Sequence, residues 1–255
     1  MIRQDYKWLT DIYVAHRGLF DNANGVPENS IPAFKNAVEH GFAIETDVQM
    51  TKDGVLVVFH DDTLKRMTGV EGKLCSYTFE QLRKLRLLDT DCQIPTFEEF
   101  LKTANGVNLV VEIKTHGKIG EVEQKTYEAL KSYQGNYCIE SFDPFIIRWF
   151  KKHAPDVIRG TLSSSFDGVP MAKIKKWILR NLILCKWNGS QFIAYDAATI
   201  RDNKAVKRFS KKIPIICWTI KSQEQHDQLR DCYDNMIFDS FSPLRDDLNG
   251  EDGVL

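Results

Sequence analysis

The sequence alternates short apolar runs with longer segments of helical periodicity, and it does so eight times in 255 residues. The runs that read as strands begin near residues 12, 42, 108, 137, 157, 192, 213 and 236. Strands alternating with helices predict a parallel sheet of the α/β class, and eight such units predict a closed (β/α)8 barrel, the TIM barrel. A doubly wound open sheet is the second option, but the glycine-rich dinucleotide turn that usually accompanies it is missing.

The helical segments have recognisable start and stop signals. Ser30 is placed to cap a helix running to about His40, and Thr96 with Glu99 has the spacing of a capping box. Later helices are predicted over residues 119–133, 144–153, 171–186, 199–209 and 222–230. Residues 62–93 show neither periodicity, so we interpret them as an insertion after the second strand of one domain spanning residues 1–255.

Polar residues lie where the predicted strands end, which is the side of such barrels that carries the active site. They are His16 after the first strand, Glu45 and Asp47 in the second, Glu112 and Lys114 at the third, Glu140 and Ser141 at the fourth, and Trp218 at the seventh. This placement was not used in assigning the strands. It therefore supports both the barrel and a site at that end.

Glu45 and Asp47 stand two positions apart in an apolar, β-branched run, so on a strand both carboxylates point to the same face. Two neighbouring buried carboxylates need a proton or a counterion, and a hard divalent cation with oxygen ligands meets that need. An Asp-Gly turn then returns the chain along residues 55–59 and brings His60 back to the same place. A histidine beside paired carboxylates indicates acid/base chemistry next to a metal.

Charge and cysteine content argue against several classes of protein. A net charge of −1 gives no reason to expect a nucleic-acid partner. The six cysteines are scattered without Cys-x-x-Cys spacing, which is typical of reduced cytosolic thiols rather than of disulfides or a zinc site. We find no basic-then-apolar leader and no apolar run of about 20 residues, so we expect a soluble cytoplasmic protein without a transmembrane segment.

Each of these features also has a purely structural interpretation. His16 alone fits a satisfied core histidine and Arg17 a surface ion pair, while Glu112 and Lys114 alone fit an internal salt bridge. The carboxylate pair of the second strand fits a solvated edge, although its apolar flanks argue against that. Residues 171–187 carry five basic side chains among Ile, Leu and Trp; they fit a membrane-surface helix, but we favour an outer barrel helix with a solvated basic face.

In combination, the short motifs resemble those of the glycerophosphodiester phosphodiesterase family, from His16 to about Ser240. The motifs are His16-Arg17-Gly18, Pro27-Glu28-Asn29-Ser30, Glu45-x-Asp47, Asp53-Gly54-x-x-Val57-Val58-x-His60-Asp61, Glu112-x-Lys114, Ser141-Phe142-Asp143-Pro144 and Trp218-Thr219. Each motif alone is weak, but their order along nearly the whole chain is specific. The resemblance implies a (β/α)8 barrel with a small insertion after its second strand, which here corresponds to residues 62–93.

The resemblance also implies a metal-dependent hydrolysis of small glycerophosphodiesters to glycerol 3-phosphate and an alcohol. The implied roles are cation ligands for Glu45, Asp47 and Glu112, the acid/base pair for His16 and His60, phosphate contacts for Arg17 and Lys114, and the glycerol side for Trp218. The cation is commonly Ca²⁺ or Mg²⁺, with Mn²⁺ as a further option. The ending of the last strand, residues 235–240, departs from the family pattern, which leaves the contacts of Asp239 undetermined.

Two functions from other classes stay open at this point. One is a related barrel lyase acting on lipid headgroups, and the other is a non-catalytic barrel that binds a metal. The presence of both histidines and all three carboxylates argues against a loss of catalysis. The alcohol headgroup, the metal, the division of acid and base roles, the nucleophile and the oligomeric state are not determined by the sequence.

Overall fold

Eight parallel strands close into a barrel in the computed structural model, which describes residues 6–243. Within that range the strands are β1 (Val14–Ala15), β2 (Ala43–Met50), β3 (Leu56–Val58), β4 (Leu109–Ile113), β5 (Tyr137–Ser141), β6 (Ile158–Ser163), β7 (Phe192–Asp196), β8 (Ile215–Ile220) and β9 (Asn235–Phe238). β1 pairs with β2 on one side and with β9 on the other, which closes the barrel. β3 lies outside the parallel set and pairs antiparallel with β2. The predicted (β/α)8 barrel is confirmed, and the open sheet is wrong.

Helices connect the strands around the barrel. Their bounds are α1 (Trp8–Asp11), α2 (Ile31–Glu39), α3 (Lys65–Thr68), α4 (Phe79–Leu82), α5 (Phe97–Ala104), α6 (Glu121–Leu130), α7 (Pro144–His153), α8 (Lys173–Arg180), α9 (Cys185–Asn188), α10 (Lys204–Phe209) and α11 (Gln223–Leu229). Short 3-10 turns occupy Asn22–Asn24, Leu74–Ser76 and Arg230–Cys232. The predicted caps are confirmed, because Ser30 accepts a backbone N–H of α2 and Thr96 forms a capping box with Glu99 in α5.

Two predicted helices have wrong boundaries. Residues 171–186 do not form one helix, since α8 and α9 are separated at Leu182, whose backbone is left-handed with φ 58°. A side chain with a Cβ is disfavoured in that conformation, and helical geometry cannot continue through it. The helix predicted over residues 199–209 begins only after Asn203, whose side chain accepts two backbone N–H groups of α10.

The interior of the barrel is apolar near the amino-terminal ends of the strands. Val14, Ala43 and Val110 belong to one buried cluster inside the barrel. Their sequence neighbours, such as Leu109 and Val111, pack outward in a second cluster against the helices. Because side chains alternate along a strand, the residues two positions further on must also point inward.

Residues 62–93 follow β3 and have a hydrophobic cluster of their own. Its buried members are Val57, Phe59, Leu64, Met67, Leu74, Leu82, Leu87 and Ile94. The cluster draws on β3 as well as on α3 and α4, so the segment is packed onto the strand that leads to His60. Burial of these side chains holds the segment in a defined structure, although its sequence shows neither helical nor strand periodicity.

Neither a membrane span nor a disulfide occurs in residues 6–243. The helices of this range are too short and too polar to cross a bilayer. All six cysteines are free thiols.

Candidate active site at the carboxyl ends of the strands

On six of the eight barrel strands, the inward-facing side chains change from apolar ones to ones with a polar group toward the carboxyl end. The pairs of successive inward residues are Val14 and His16, Ala43 and Glu45, Val110 and Glu112, Cys138 and Glu140, Ile216 and Trp218, and Ile237 and Asp239. Strand alternation alone forces these polar side chains into the same space above the apolar layer. They line one cavity at that end of the barrel.

Three carboxylates converge between β2 and β4. Glu45, Asp47 and Glu112 each offer an oxygen, and these oxygens all lie within 4.8 Å of one another. Asp47 and Glu112 are direct partners in the register of the two strands. All three side chains are buried. The sequence-predicted ligand residues are thus assembled into one cluster.

Protein groups do not balance the charge of this cluster. Burial, and then repulsion by Asp47 and Glu140, raises the pKa of Glu45 well above its usual range. Burial also raises the pKa of Glu112 to about 8, with Lys114 opposing the shift and Asp47 adding to it. Only Asp47 has a lowered pKa: burial would raise it, but Lys114, His60 and Arg17 together lower it well below its usual range. Carboxyl groups that keep a proton for lack of nearby positive charge release that proton to solvent when a divalent cation binds, so this set of oxygen donors fits a hard ion.

Arg17 and Lys114 are the cations nearest the three carboxylates. The backbone of Arg17 is left-handed (φ 55°), and its N–H donates to Glu45 Oε2 at 3.0 Å while its Nε lies 3.6 Å from Asp47 Oδ2. Lys114 Nζ lies 2.9 Å from Asp47 Oδ1 and donates to the carbonyl of His60 at 2.9 Å. Arg17 borders the cavity, whereas Lys114 is engaged beside it. The two positive charges therefore have different access to a ligand.

His16 is oriented by a carboxylate from the far end of the chain. Its Nδ1 lies 2.9 Å from Oδ2 of Asp239, and the two residues follow the paired strands β1 and β9. A carboxylate only accepts, so Nδ1 donates and the lone pair stays on Nε2, 3.9 Å from Glu45 Oε2. Burial lowers the pKa of His16, against the hydrogen bond with Asp239. The ring is therefore suited to accept a proton at Nε2.

His60 is oriented by its neighbour in sequence. Its Nδ1 lies 2.6 Å from Oδ1 of Asp61, which again leaves Nε2 for the cavity. Arg66 donates to both oxygens of Asp61, at 2.7 and 3.0 Å, and to both oxygens of Glu28, at 2.7 and 2.8 Å. Glu28 also accepts from Arg17 at 2.6 Å. A continuous ionic chain thus connects the support of His60 to the arginine beside His16.

Gln49 fixes the backbone that carries His60. Its amide nitrogen lies 2.7, 3.2 and 2.9 Å from the carbonyl oxygens of Phe59, His60 and Asp61. Phe59 also donates its backbone N–H to the carbonyl of Asp47 at 3.0 Å. The hairpin predicted from the Asp-Gly turn therefore brings His60 to the carboxylate cluster as expected.

The cavity has a volume of about 430 Å³ and combines a charged side with an aromatic side, a size suited to a small molecule. Phe142 and Trp218 form the aromatic side and meet edge to face, with ring centroids 5.6 Å apart. The buried indole N–H of Trp218 has no hydrogen-bond partner within residues 6–243. A buried donor without a partner is available to a bound hydroxyl or phosphate oxygen.

Sequence reasoning missed the supporting residues of the site. Asp239 carried no assigned role, although its position two residues after an inward-facing isoleucine would have placed it here. Asn29 donates to Asp47 Oδ2 at 2.9 Å and accepts from Thr46 at 2.9 Å, a contact that no spacing rule signals. Glu140 was expected at this end of the barrel but without a role; it is buried with one oxygen unpaired, and burial raises its pKa well above the usual range. With Glu28 and Asp239, it adds carboxyl groups to the cavity beyond the three-carboxylate cluster.

Comparisons with known proteins agree with one another. The sequence profile of the glycerophosphoryl diester phosphodiesterase family matches residues 16–240. A glycerophosphodiester phosphodiesterase of Caldanaerobacter subterraneus is 37% identical over 169 residues, which cover 60% of this chain and 67% of that protein. Glycerophosphodiester phosphodiesterase 1 of Homo sapiens is 29% identical over 244 residues, covering 83% and 72%. A phosphodiesterase of Oleispira antarctica, solved in complex with the product sn-glycerol-3-phosphate, has the same fold, with a TM-score of 0.75 at 21% identity over 91% of this chain and 94% of that chain.

Proposed function

This chain belongs to the glycerophosphoryl diester phosphodiesterase family, and from that premise we propose that it hydrolyses glycerophosphodiesters to sn-glycerol 3-phosphate and an alcohol. The observation that carries the proposal is the pairing of two carboxylate-oriented histidines with a buried cluster of three carboxylates at one cavity. A phosphodiester needs charge neutralisation and two proton transfers, and this set of groups provides for both.

We propose that Glu45, Asp47 and Glu112 hold a divalent cation, with Ca²⁺, Mg²⁺ and Mn²⁺ as the ions to compare. The raised pKa values of Glu45 and Glu112 support this, because they indicate that the protein itself supplies too little positive charge to keep both carboxyl groups ionised. When bound, such an ion polarises phosphoryl oxygens as a Lewis acid. Arg17 borders the same cavity and adds a second positive charge for the equatorial oxygens of the transition state.

The two histidines divide the proton transfers between them. Each has Nδ1 bonded to a carboxylate, so each works through Nε2. One ring takes the proton of the nucleophile, and the other gives a proton to the departing alcohol. Trp218 and Phe142 bound the side of the cavity that would receive the uncharged glycerol moiety. Lys114 contacts Asp47 and the backbone carbonyl of His60 and so helps to hold both in place. In this proposal it also contacts the phosphate of the bound substrate.

Two nucleophiles fit this arrangement. Water attacks directly in one route, while the glycerol 2-hydroxyl attacks in the other and gives a cyclic phosphate that is then hydrolysed. The routes differ in an observable product, because only the second passes through the cyclic ester. Phosphorus NMR of a slowed reaction, in which the cyclic ester accumulates or is absent, separates them.

The test is a panel of water-soluble glycerophosphodiesters with choline, ethanolamine, inositol or glycerol as the alcohol. The chelated protein is assayed for sn-glycerol 3-phosphate release before and after addition of Ca²⁺, Mg²⁺ or Mn²⁺. We expect release only with a divalent ion, and none from a Glu45→Gln variant. Tight ligand binding by the loaded protein without any turnover of the panel would contradict the proposal and indicate a binding protein. Preferred cleavage of a membrane lipid headgroup would indicate the lyase instead.

A further inference from the structure

The surface beside the catalytic cavity exposes large apolar side chains. Seven such side chains are exposed in residues 6–243, and all but Ile12 lie in one stretch of the chain. Those six are Phe145, Val169, Ile174, Trp177, Ile183 and Trp187. Ile174 is 65% exposed and Trp177 is 56% exposed. Large apolar side chains with this much exposed surface are hydrated unfavourably. A partner that covers them removes that unfavourable hydration.

Helix α8 provides the centre of this surface. None of its residues is buried, whereas α7 buries four. Ile174, Trp177 and Ile178 are spaced to lie on one side of the helix, and only Ile178 of the three is half-buried, so most of this apolar face is not used by the barrel core. Contacts near the end of α8, such as the one from Ser163 to the carbonyl of Leu179, fix its position. An ordinary outer barrel helix would turn its apolar face inward, and α8 does not.

The same surface is strongly basic. Residues 144–190 contain nine Lys and Arg, of which only Arg159 is buried, against two Asp and Glu, in a chain whose net charge is −1. Five of these basic residues, and no acidic one, fall within residues 173–187. None of those five is in an ion pair with a carboxylate of the described residues. Their charge is therefore available to an anionic partner.

The apolar surface continues to the mouth of the catalytic cavity. A groove of about 450 Å³ is lined by Phe145, Ile174 and Leu184, among others, and shares Phe142 with the catalytic cavity. Phe145 and Trp187 meet edge to face with centroids 5.3 Å apart. The groove, α8 and the catalytic cavity thus lie on the same side of the barrel.

We propose that the surface formed by Phe145, Ile174, Trp177, Ile183, Trp187 and the surrounding lysines docks on a bilayer containing anionic phospholipid. Tryptophan and aliphatic side chains enter the interfacial region of a bilayer, and lysines at its edge pair with lipid phosphates. A second copy of this chain seated on the same surface would bring like charges together, which disfavours self-association there. Docking in this orientation turns the catalytic cavity toward the lipid surface. The proposal does not depend on the hydrolytic activity.

Vesicle co-sedimentation of the full chain tests the proposal. One set of vesicles is phosphatidylcholine alone, and the other is phosphatidylcholine mixed with phosphatidylglycerol. We expect binding to the mixed vesicles and little to phosphatidylcholine alone. The double substitution Ile174→Ser with Trp177→Ser should remove most of the binding at any salt concentration, because it removes the apolar contact.

Charge-matched triple variants separate a local effect from a general one. The test variant carries Lys173→Gln, Lys175→Gln and Lys176→Gln. The control variant carries Lys35→Gln, Lys102→Gln and Lys211→Gln, which are exposed lysines elsewhere on the molecule. We expect the test variant to bind mixed vesicles about fivefold more weakly for each lysine removed, while the control stays within about twofold of wild type. A far-UV circular dichroism spectrum and a thermal unfolding midpoint unchanged from wild type show that every variant is folded.

Three outcomes would overturn the proposal. Equal binding to both kinds of vesicle would show that anionic lipid is not recognised. Equal losses in the test and control triple variants would show a general charge effect. The third outcome is a wild-type dimer in sedimentation equilibrium that dissociates in the Trp177→Ser variant, together with no vesicle binding. It would assign this surface to contact with a second copy of the chain.

Discussion

The two histidines of the cavity make the same kind of contact but are held by different parts of the chain. His16 is paired with Asp239, 223 positions away, where the first and last strands of the barrel meet. His60 is paired with Asp61, the next residue, and its surroundings come from the hairpin and from residues 62–93. The His16 side chain is 16% exposed, and the His60 side chain is 33% exposed. One histidine thus depends on closure of the barrel, and the other depends on a locally encoded attachment to it.

This difference shows how the site divides its structural requirements. An error in barrel closure would separate His16 from Asp239 and leave the pairing of His60 with Asp61 intact. An error in packing of residues 62–93 would have the opposite effect. The site thus has two halves, one around His16 and one around His60. Glu28 connects them, because it accepts hydrogen bonds from Arg17 and from Arg66. Substitutions on each side show whether both histidines are needed and whether Glu28 couples their surroundings.

The largest effect is expected from removing either histidine. His16→Ala and His60→Ala should each lower kcat by about 10³-fold or more, because each removes a proton-transfer group that no neighbour replaces. Cation binding, measured by calorimetry on the chelated protein, should persist in both variants. Substantial turnover in one variant would show that the two halves are not both catalytic.

Glu28→Gln tests the connection between the halves through protein stability. Burial would raise the pKa of Glu28, but Arg66 and Arg17 lower it to about 2 from an ordinary value of 4.5. A carboxyl group with a lowered pKa stabilises the fold above its unfolded-state pKa and loses that effect as the pH falls through the folded-state value. We expect Glu28→Gln to cost about 3 kcal/mol of unfolding free energy at neutral pH, with a difference from wild type that shrinks from about pH 4.5 toward pH 2.

Urea denaturation across this pH range measures the effect, and Glu80→Gln is the matched control. Glu80 forms an exposed pair with Lys84 one helical turn away, so its removal should change the unfolding free energy by less than about 1 kcal/mol. A pH-independent difference for Glu28→Gln would indicate that packing, and not charge, accounts for its contribution.

Removing the carboxylate partners compares the halves directly. Asp239→Asn and Asp61→Asn should each lower kcat by about 10²-fold with a smaller change in KM, because an amide no longer fixes the Nδ1–H tautomer of the histidine. Steady-state kinetics on one soluble diester gives both values. If Asp61→Asn leaves kcat unchanged while Asp239→Asn lowers it, His60 is held by its backbone contacts with Gln49 and Lys114 instead.

The smallest effect is expected one contact further from the cavity. Arg66→Gln should lower kcat by about tenfold, since it removes the donor that orients Asp61. Arg83→Gln is the matched control. Arg83 also belongs to residues 62–93 and donates two hydrogen bonds to Glu99, which lies outside this segment and away from the histidines. We expect Arg83→Gln to leave kcat unchanged. Equal losses in both variants would mean that the whole segment is loosened and that Arg66 has no specific role.

Local sequence signals predicted the parts of the structure that depend on neighbouring residues. The two-residue spacing of Glu45 and Asp47 fixed their common face, and the Asp-Gly turn fixed the return to His60. Strand alternation places Asp239 in the cavity, but its contact with His16 depends on the pairing of the first and last barrel strands, which local signals do not give. The break at Leu182 was not predicted either, because an apolar residue with helical spacing can still adopt a left-handed backbone when tertiary contacts favour it.

The hydrophobic cluster that residues 62–93 form with β3 gives this segment a buried core apart from the main core of the barrel. A chimera that imports the segment from a relative would keep β2 and β4, which carry the three-carboxylate cluster, because their buried side chains belong to other hydrophobic clusters. It would succeed only if the donor sequence brings an arginine in the place of Arg66, since that side chain aligns the graft with Glu28 of the recipient. Compatibility of such a graft with the barrel therefore depends on one charged contact at the boundary between the two.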